Sequence, residues 1–297
     1  VSTAVTDMVI CDNAIPTVSD FYLRERRKAA FSASTDSEKE TQYSNDQSFY
    51  FMFIANDTAS GFSTFTYSDD KGTTSDPIAM KSAASAGSGD YKVTNLNVAA
   101  LASTGGIPKQ VLVTGILTIP ANNSEHTLTV KVKDGANNES LGLANNEAGT
   151  NRIIFDNMPP KLTGLSCDTG ASGYFQDGTK LYTNLPKPTV NITGSDTGSG
   201  TVSGLMDALL SCSSGDWSVP KSVAFSRKDS VNPETVTATL SFGTSETAVI
   251  SATPQDYAGN VGDASTITLI MDKTPPTLEL YLFDQSLPTT SCVKGKQ

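Results

Sequence analysis

Between Leu128 and Lys133 apolar and polar residues alternate without a break: Leu128, Val130 and Val132 are separated by Thr129 and Lys131. A period of two sends successive side chains to opposite faces, so this run predicts a strand with one face buried. Ile250 and Ala252 lie in a second alternating run, and residues 3–10, 152–155 and 265–270 form short β-branched runs. Gly, Asn, Asp and Ser clusters separate them. Many short strands punctuated by turn residues predict an all-β fold built of sandwiches. Only residues 21–30 admit a helical reading, and their charges, Arg24, Arg26, Arg27 and Lys28, suit an edge strand equally well.

The pattern repeats. Cys11-Asp12-Asn13-Ala14-Ile15-Pro16, Phe155-Asp156-Asn157-Met158-Pro159-Pro160 and Met271-Asp272-Lys273-Thr274-Pro275-Pro276 each follow a β-branched run and lead into another. Proline cannot donate to a sheet ladder, so these segments read as linkers. Between them, Tyr43-Ser44-Asn45 is matched by Tyr182-Thr183-Asn184, and Asp57-Thr58-Ala59-Ser60-Gly61 by Asp196-Thr197-Gly198-Ser199-Gly200, both at an offset of 139 residues. Asp134-Gly135-Ala136-Asn137-Asn138 is matched by Asp256-Tyr257-Ala258-Gly259-Asn260. The order of markers is the same in both copies, and their spacing differs by insertions, which loops tolerate. The expected organisation is a repeat at 12–155, a second at 156–271, the last strand of a preceding repeat (or a donated strand) at 1–11, and the opening of a following repeat, or a tail, at 272–297.

Composition narrows the chemistry. The chain has 297 residues and a formal net charge of −10, which disfavours nucleic acid as a partner. No apolar stretch is long enough for a membrane helix, so no membrane insertion is expected. There is one histidine, His126, and none of the four cysteines lies in a Cys-x-x-Cys pair, which argues against His- or Cys-based metal sites and Ser-His-Asp catalysis. No phosphate loop, nucleophile elbow or zinc-protease motif occurs, so the chain reads as a non-enzyme. Cys167 and Cys212 are a candidate disulfide in the second repeat, with Cys11 and Cys292 left to pair elsewhere or stay free.

The recurring aspartates carry the candidate chemistry. In a sandwich the first strand leaves the N-terminal pole and the second returns to it. The loop after that second strand (Asp57, Asp196), the loop before the last strand (Asp134, Asp256) and the linker (Asp12, Asp156) then meet at one pole. Three carboxylates there, with carbonyls from Gly- and Asn-rich turns, suit the oxygen-rich shell of Ca²⁺. Asn260 and Asp272 complete the candidate ligands. The same residue types also form turns by local hydrogen bonding with no metal, and both readings stand at this point. His126 reads as a structural residue. The run from Arg24 to Lys28 reads as a solvated face, with a sulfated or phosphorylated glycan as the alternative.

At the Asp256–Asn260 and Asp272–Pro276 motifs, and at Ser124-Glu125-His126-Thr127-Leu128-Thr129-Val130, the chain resembles the bacterial immunoglobulin-like repeats of large surface adhesins. Antibody-type marks are missing: no cysteine lies near Val190 and Ile192, and Trp217 is not at the usual spacing. The first repeat departs from the family pattern, with Asn137-Asn138 for Gly-Asn and one proline in its linker. The resemblance implies tandem immunoglobulin-like β-sandwiches outside the cell, at its surface, spacing or presenting a binding tip and stiffened by calcium. It implies as partners neighbouring copies of the repeat and a host or cell-surface protein or glycan. Two other roles fit the same residues: a filament or surface-layer subunit joined by strand exchange, and a carbohydrate-binding accessory module of a secreted enzyme.

Overall fold

The computed structural model describes residues 11–279 apart from 88–90, 146–150, 168–169, 179, 199 and 227, together with the backbone of 281–283 and 292–294. The expected strand at 3–10 and the Cys292 side chain lie outside the described residues. Among the described residues there is no helix; the chain is strands and turns throughout.

Two cores form in succession. In the first, Thr17–Glu25 is the edge of a five-stranded antiparallel sheet that continues through Ser48–Asn56, Ile107–Thr118, Val93–Thr104 and Ala83–Ala86. The stretch that admitted a helix is thus an edge strand, followed by a loop in which its basic residues find partners. Arg24 pairs with Glu38 at 3.0 Å and its guanidinium lies 4.1 Å from the centre of the Phe31 ring, while Lys28 reaches Glu38 and Glu40. Opposite this sheet, Leu128–Asp134 pairs with Phe62–Asp69. The short strand Ile153–Phe155 runs parallel to Gln42–Ser44 and antiparallel to Ser124–His126. Phe21, Phe49, Phe51, Phe53, Phe65 and Tyr67 fill the space between the layers, with ring centroids 5.3–6.4 Å apart in the contacts among Phe51, Phe53, Phe65 and Tyr67. Such aromatic contacts add about 0.5–1.5 kcal/mol each beyond the area they bury.

The second core repeats the plan with smaller side chains. Lys161–Ser166, Thr189–Ser195 and Glu234–Thr239 make one sheet. The other sheet has the order Tyr174–Asp177, Lys180–Thr183, Ser265–Met271, Thr247–Asp256, Leu205–Cys212, Ser222–Ala224. Its closing strand again runs parallel, here Ser265–Met271 beside Lys180–Thr183. Val190, Ile192, Ala208, Ala238, Ala248, Ile250, Ala252 and Leu269 are among the side chains of this core, with Trp217 and Phe225 as its large buried rings. The candidate disulfide is not formed. Cys167 is a free buried thiol following the strand of one sheet, Cys212 a free thiol ending a strand of the other, and both pack in the core as apolar residues.

The alternation read from the sequence decides what happens at the pole. Along Leu128–Asp134 the odd-one-out pattern buries Leu128, Val130, Val132 and then Asp134, while Thr129, Lys131 and Lys133 are half-exposed. Along Thr247–Asp256 it buries Ala248, Ile250, Ala252, Pro254 and then Asp256. Each aspartate is the last inward-facing residue of an amphipathic strand, so strand periodicity itself delivers a carboxylate into the end of the core.

Candidate metal centre

Six of the eight residues singled out in the sequence assemble into two triads. Asp12, Asp57 and Asp134 form one, and Asp156, Asp196 and Asp256 the other; within each, one carboxylate oxygen per residue lies within 4.8 Å of the other two. All six are buried. Asn260 reaches the second triad through its amide nitrogen, which donates to Asp256 Oδ2 at 2.7 Å and to the Asp156 carbonyl at 2.8 Å. Asp272 belongs to neither triad; it opens the third linker and is exposed.

The two triads share a hydrogen-bond frame. The linker aspartate makes a local turn with one oxygen: Ala14 N–H donates to Asp12 Oδ1 at 2.9 Å, and Met158 N–H to Asp156 Oδ1 at 3.0 Å. Its other oxygen accepts from the loop after the second long strand, Ser60 N–H to Asp12 at 2.8 Å and Ser203 N–H to Asp156 at 2.7 Å. The loop aspartate accepts from the next glycine, Gly61 N–H to Asp57 Oδ2 at 2.6 Å and Gly204 N–H to Asp196 Oδ2 at 2.7 Å. The strand-end aspartate is held by an asparagine four residues on. Asn138 donates its backbone N–H and its amide to Asp134, and Asn260 does the same to Asp256. Ser60 and Ser203 close the frame, their hydroxyls accepting from Ala136 and Ala258 at 3.2 Å each.

This frame corrects the ungapped match of the two aspartate loops. Among the described residues Asp196 accepts from Ser203 and Gly204, seven and eight positions on, where Asp57 accepts from Gly61 four positions on, so the second loop carries four extra residues. Gly200 of that loop lies against the first repeat: a side chain there, where φ is +116°, would strike the Asn123 carbonyl. Asn260, expected as a ligand, instead supports the triad through its donating amide, and Asn138 and the two serines were legible only as turn residues.

Every donor in the frame is neutral. Asp57 Oδ1 and Asp196 Oδ1, equivalent positions in the two triads, are buried and have no hydrogen-bond partner. A buried acceptor on a charged group without a partner is costly, and three carboxylates in contact raise the cost through repulsion. The consequence shows in the second triad. Burial, then the neighbouring Asp156 charge, pushes Asp196 up to about 7, and burial pushes Asp256 up to about 6 against the pull of its bonds from Asn260. The first triad is relieved in part. Hydrogen bonds from Ser60 and Ala14 hold Asp12 below the usual carboxylate range, and the Lys109 charge acts in the same direction. Lys109 is fixed there by donating to the Ala59 carbonyl at 2.6 Å.

An all-oxygen, carboxylate-rich set is the donor chemistry of a hard cation. Ca²⁺ bonds at roughly 2.3–2.6 Å let two ligands of one ion stand up to about 5 Å apart, which the spacing within each triad satisfies. His126 takes no part. It is buried elsewhere, its Nε2 lies 3.2 Å from Ser124 Oγ, and burial lowers its pKa.

No family model matches the chain, and no curated protein matches it. Among solved structures it is similar to the D00-D0 domain of Intimin, 12% identical with a TM-score of 0.29, the match covering 86% of this chain and 100% of that one. It is similar to the Yersinia pseudotuberculosis adhesin InvE, 11% identical with a TM-score of 0.29, covering 85% and 60%. It is also similar to the fibronectin(III)-like modules of Clostridium thermocellum CbhA, 9% identical with a TM-score of 0.30, covering 80% and 92%.

Proposed function

We propose that the chain is a run of extracellular structural modules in which calcium binds ahead of each sandwich and fixes its angle to the module before it. The observation that carries this reading is the doubled triad: the same three-carboxylate frame, drawing one member from a linker, occurs at the mouth of both sandwiches with the same oxygen left without a partner. A turn-forming role alone calls for local hydrogen bonds, which each linker aspartate satisfies with one oxygen. It gives no reason to gather three buried negative charges with only neutral donors. A divalent cation supplies the missing positive charge. Asp12, Asp57 and Asp134, and separately Asp156, Asp196 and Asp256, would hold it, with Asn138 and Asn260 orienting their strand-end partners as outer supports.

The junction gives such a cation a mechanical role. Asp156 follows directly from the closing strand of the first sandwich, and its N–H donates to the Ser44 carbonyl there at 3.0 Å. Its carboxylate belongs to the mouth of the second. Arg27 of the first sandwich donates to the Tyr257 carbonyl of the second at 3.0 Å, and Arg152 bridges Glu125 and Asp229. A metal on Asp156 therefore couples two bodies already in contact. Modules of this kind space or present a binding tip at a cell surface. Calorimetry and small-angle scattering on the whole chain test the reading: calcium should raise the melting temperature and narrow the distribution of inter-module angles, and chelator should reverse both. Identical melting and scattering in calcium and chelator would refute it.

A further inference from the structure

Tyr182 and Ile270 repeat, in the second sandwich, a pair that the first sandwich has covered. In the first, Ile154 and Tyr43 stand opposite each other across the parallel pairing of Ile153–Phe155 with Gln42–Ser44. The mouth of the second sandwich lies on top of them. The Tyr257 ring is 5.7 Å from the Tyr43 ring, and Ala258 completes a buried cluster with both. The Lys228 ammonium sits over the two rings at 5.9 and 4.8 Å, and Arg27 donates to the carbonyls of both tyrosines. Tyr43 is 8% exposed and Ile154 wholly buried as a result.

In the second sandwich the register is the same: Tyr182 stands opposite Ile270. The linker leaves the same way too. Asp272 N–H donates to the Thr183 carbonyl at 2.9 Å, as Asp156 does to Ser44. Thr274 N–H donates to Asp272 Oδ1 at 2.9 Å, as Met158 does to Asp156. What differs is the cover. Tyr182 and Ile270 are half-buried, Phe175 beside Tyr182 is 66% exposed with its ring 6.2 Å away, and a recess of about 310 Å³ opens among Phe175, Tyr182, Asp272 and Pro276. The second oxygen of Asp156 is taken by Ser203 of the module that follows it. Among the described residues Asp272 accepts only from Thr274.

We infer that this face is the seat of a further sandwich of the same kind, joined through the linker from Asp272 to Pro276. It would dock the small residue of its Asp-x-Ala-Gly-Asn turn on Tyr182 and Ile270 and draw Asp272 into a third triad. The inference rests on the modular reading above and names the partner that reading requires. A same-kind module fits because the occupied face shows what it must bring: an aromatic to lie beside the tyrosine and small residues where the backbone comes close. A side chain at Gly259, φ +94°, would stand 2.6 Å from the Arg27 guanidinium. The half-satisfied linker aspartate marks where the new module's loop would donate.

The test uses a chain with residues 156–271 duplicated in tandem, so that a second copy of the Tyr257-Ala258-Gly259 turn follows the first Tyr182. With Tyr182→Cys in the first copy and Ala258→Cys in the second, a disulfide should form under mild oxidation in excess calcium. It should form as readily as between Tyr43→Cys and Ala258→Cys in the unduplicated chain. Cross-linking at the Tyr43 junction with none at the Tyr182 junction would overturn the inference. A measurement without engineered cysteines stands beside it: in the unaltered chain, hydroxyl-radical labelling should modify Tyr182 several-fold faster than Tyr43. Equal protection would mean that the face is already covered, and would overturn it too. Neither readout measures calcium binding, so failure here leaves the calorimetric test of the cation reading separate.

Discussion

The mouths of the two sandwiches share one hydrogen-bond frame and sit in different electrostatic surroundings. The first triad has Lys109 nearby, and its linker aspartate is held below the usual carboxylate range; Asp12 and Asp57 keep 8% and 5% of their exposure. In the second, the three aspartates are wholly buried, and burial together with the neighbouring Asp156 charge pushes two of them upward. The same geometry thus holds one carboxylate below its usual range at the first mouth and pushes two above it at the second. The cores differ in the opposite sense. The first is packed with stacked and edge-on aromatic rings, the second largely with alanine and branched aliphatics.

That contrast yields ordered expectations. The largest effect concerns the aromatic core. Phe53→Ala should cost the first sandwich about 3–5 kcal/mol, the usual range for emptying a buried ring site. The chain has one tryptophan, Trp217, buried in the second core, so its fluorescence reports only that sandwich. The calorimetric transition of the first sandwich should fall while the Trp217-detected transition stays in place. A joint fall of both would show the two cores to be one cooperative unit.

Next in size is calcium. At a free concentration of about 100 times Kd, a ligand that binds only the folded state stabilises by about 2.7 kcal/mol. Because the metal-free second mouth is the more strained, the Trp217-detected transition should respond more than the first transition. A larger response in the first sandwich would invert the comparison. Smaller again is Asp196→Asn. In chelator near pH 7.5 it should stabilise the second sandwich by about 2 kcal/mol, because it removes an unpaired buried charge, and it should abolish that sandwich's calcium response. Destabilisation in chelator would mean that the charge is already compensated.

The smallest effect is on pH. Asp196 and Asp256 bind protons more tightly folded than unfolded, so their protonation favours the fold at low pH and that contribution is lost as pH rises through the folded values, about 7 for Asp196 and about 6 for Asp256. In chelator the second sandwich should lose about 1 kcal/mol between pH 6 and 7, and calcium should flatten the slope. Urea midpoints followed by Trp217 fluorescence across that range measure it. A midpoint that rises with pH in chelator would contradict the sign.

Much of this was legible from spacing. The repeated markers paired Asp57 with Asp196, Asp134 with Asp256 and Asp12 with Asp156, while the inward facing of Asp134 and Asp256 at the ends of their alternating strands came from the structure. Convergence at one pole followed from the strand order of a sandwich. What spacing could not reach was the second loop, where four inserted residues moved the true partners of Asp196 to Ser203 and Gly204 while leaving a misleading Ser199-Gly200 in register. Nor could it show Lys109 beside the first triad, because that residue comes from the long hairpin of Val93–Thr104 and Ile107–Thr118, which has no counterpart of that length among the described residues of the second sandwich. The packing of Tyr43 against Tyr257 is likewise a property of two modules in contact, and no single-strand pattern encodes it.

The central claim, that each triad is a calcium site, is tested most directly by isothermal titration of calcium into the chelator-stripped chain. The account predicts two sites, one site after Asp196→Asn or Asp57→Asn alone, and none after both. Absence of binding in the unaltered chain, or binding that survives the double substitution, would contradict it.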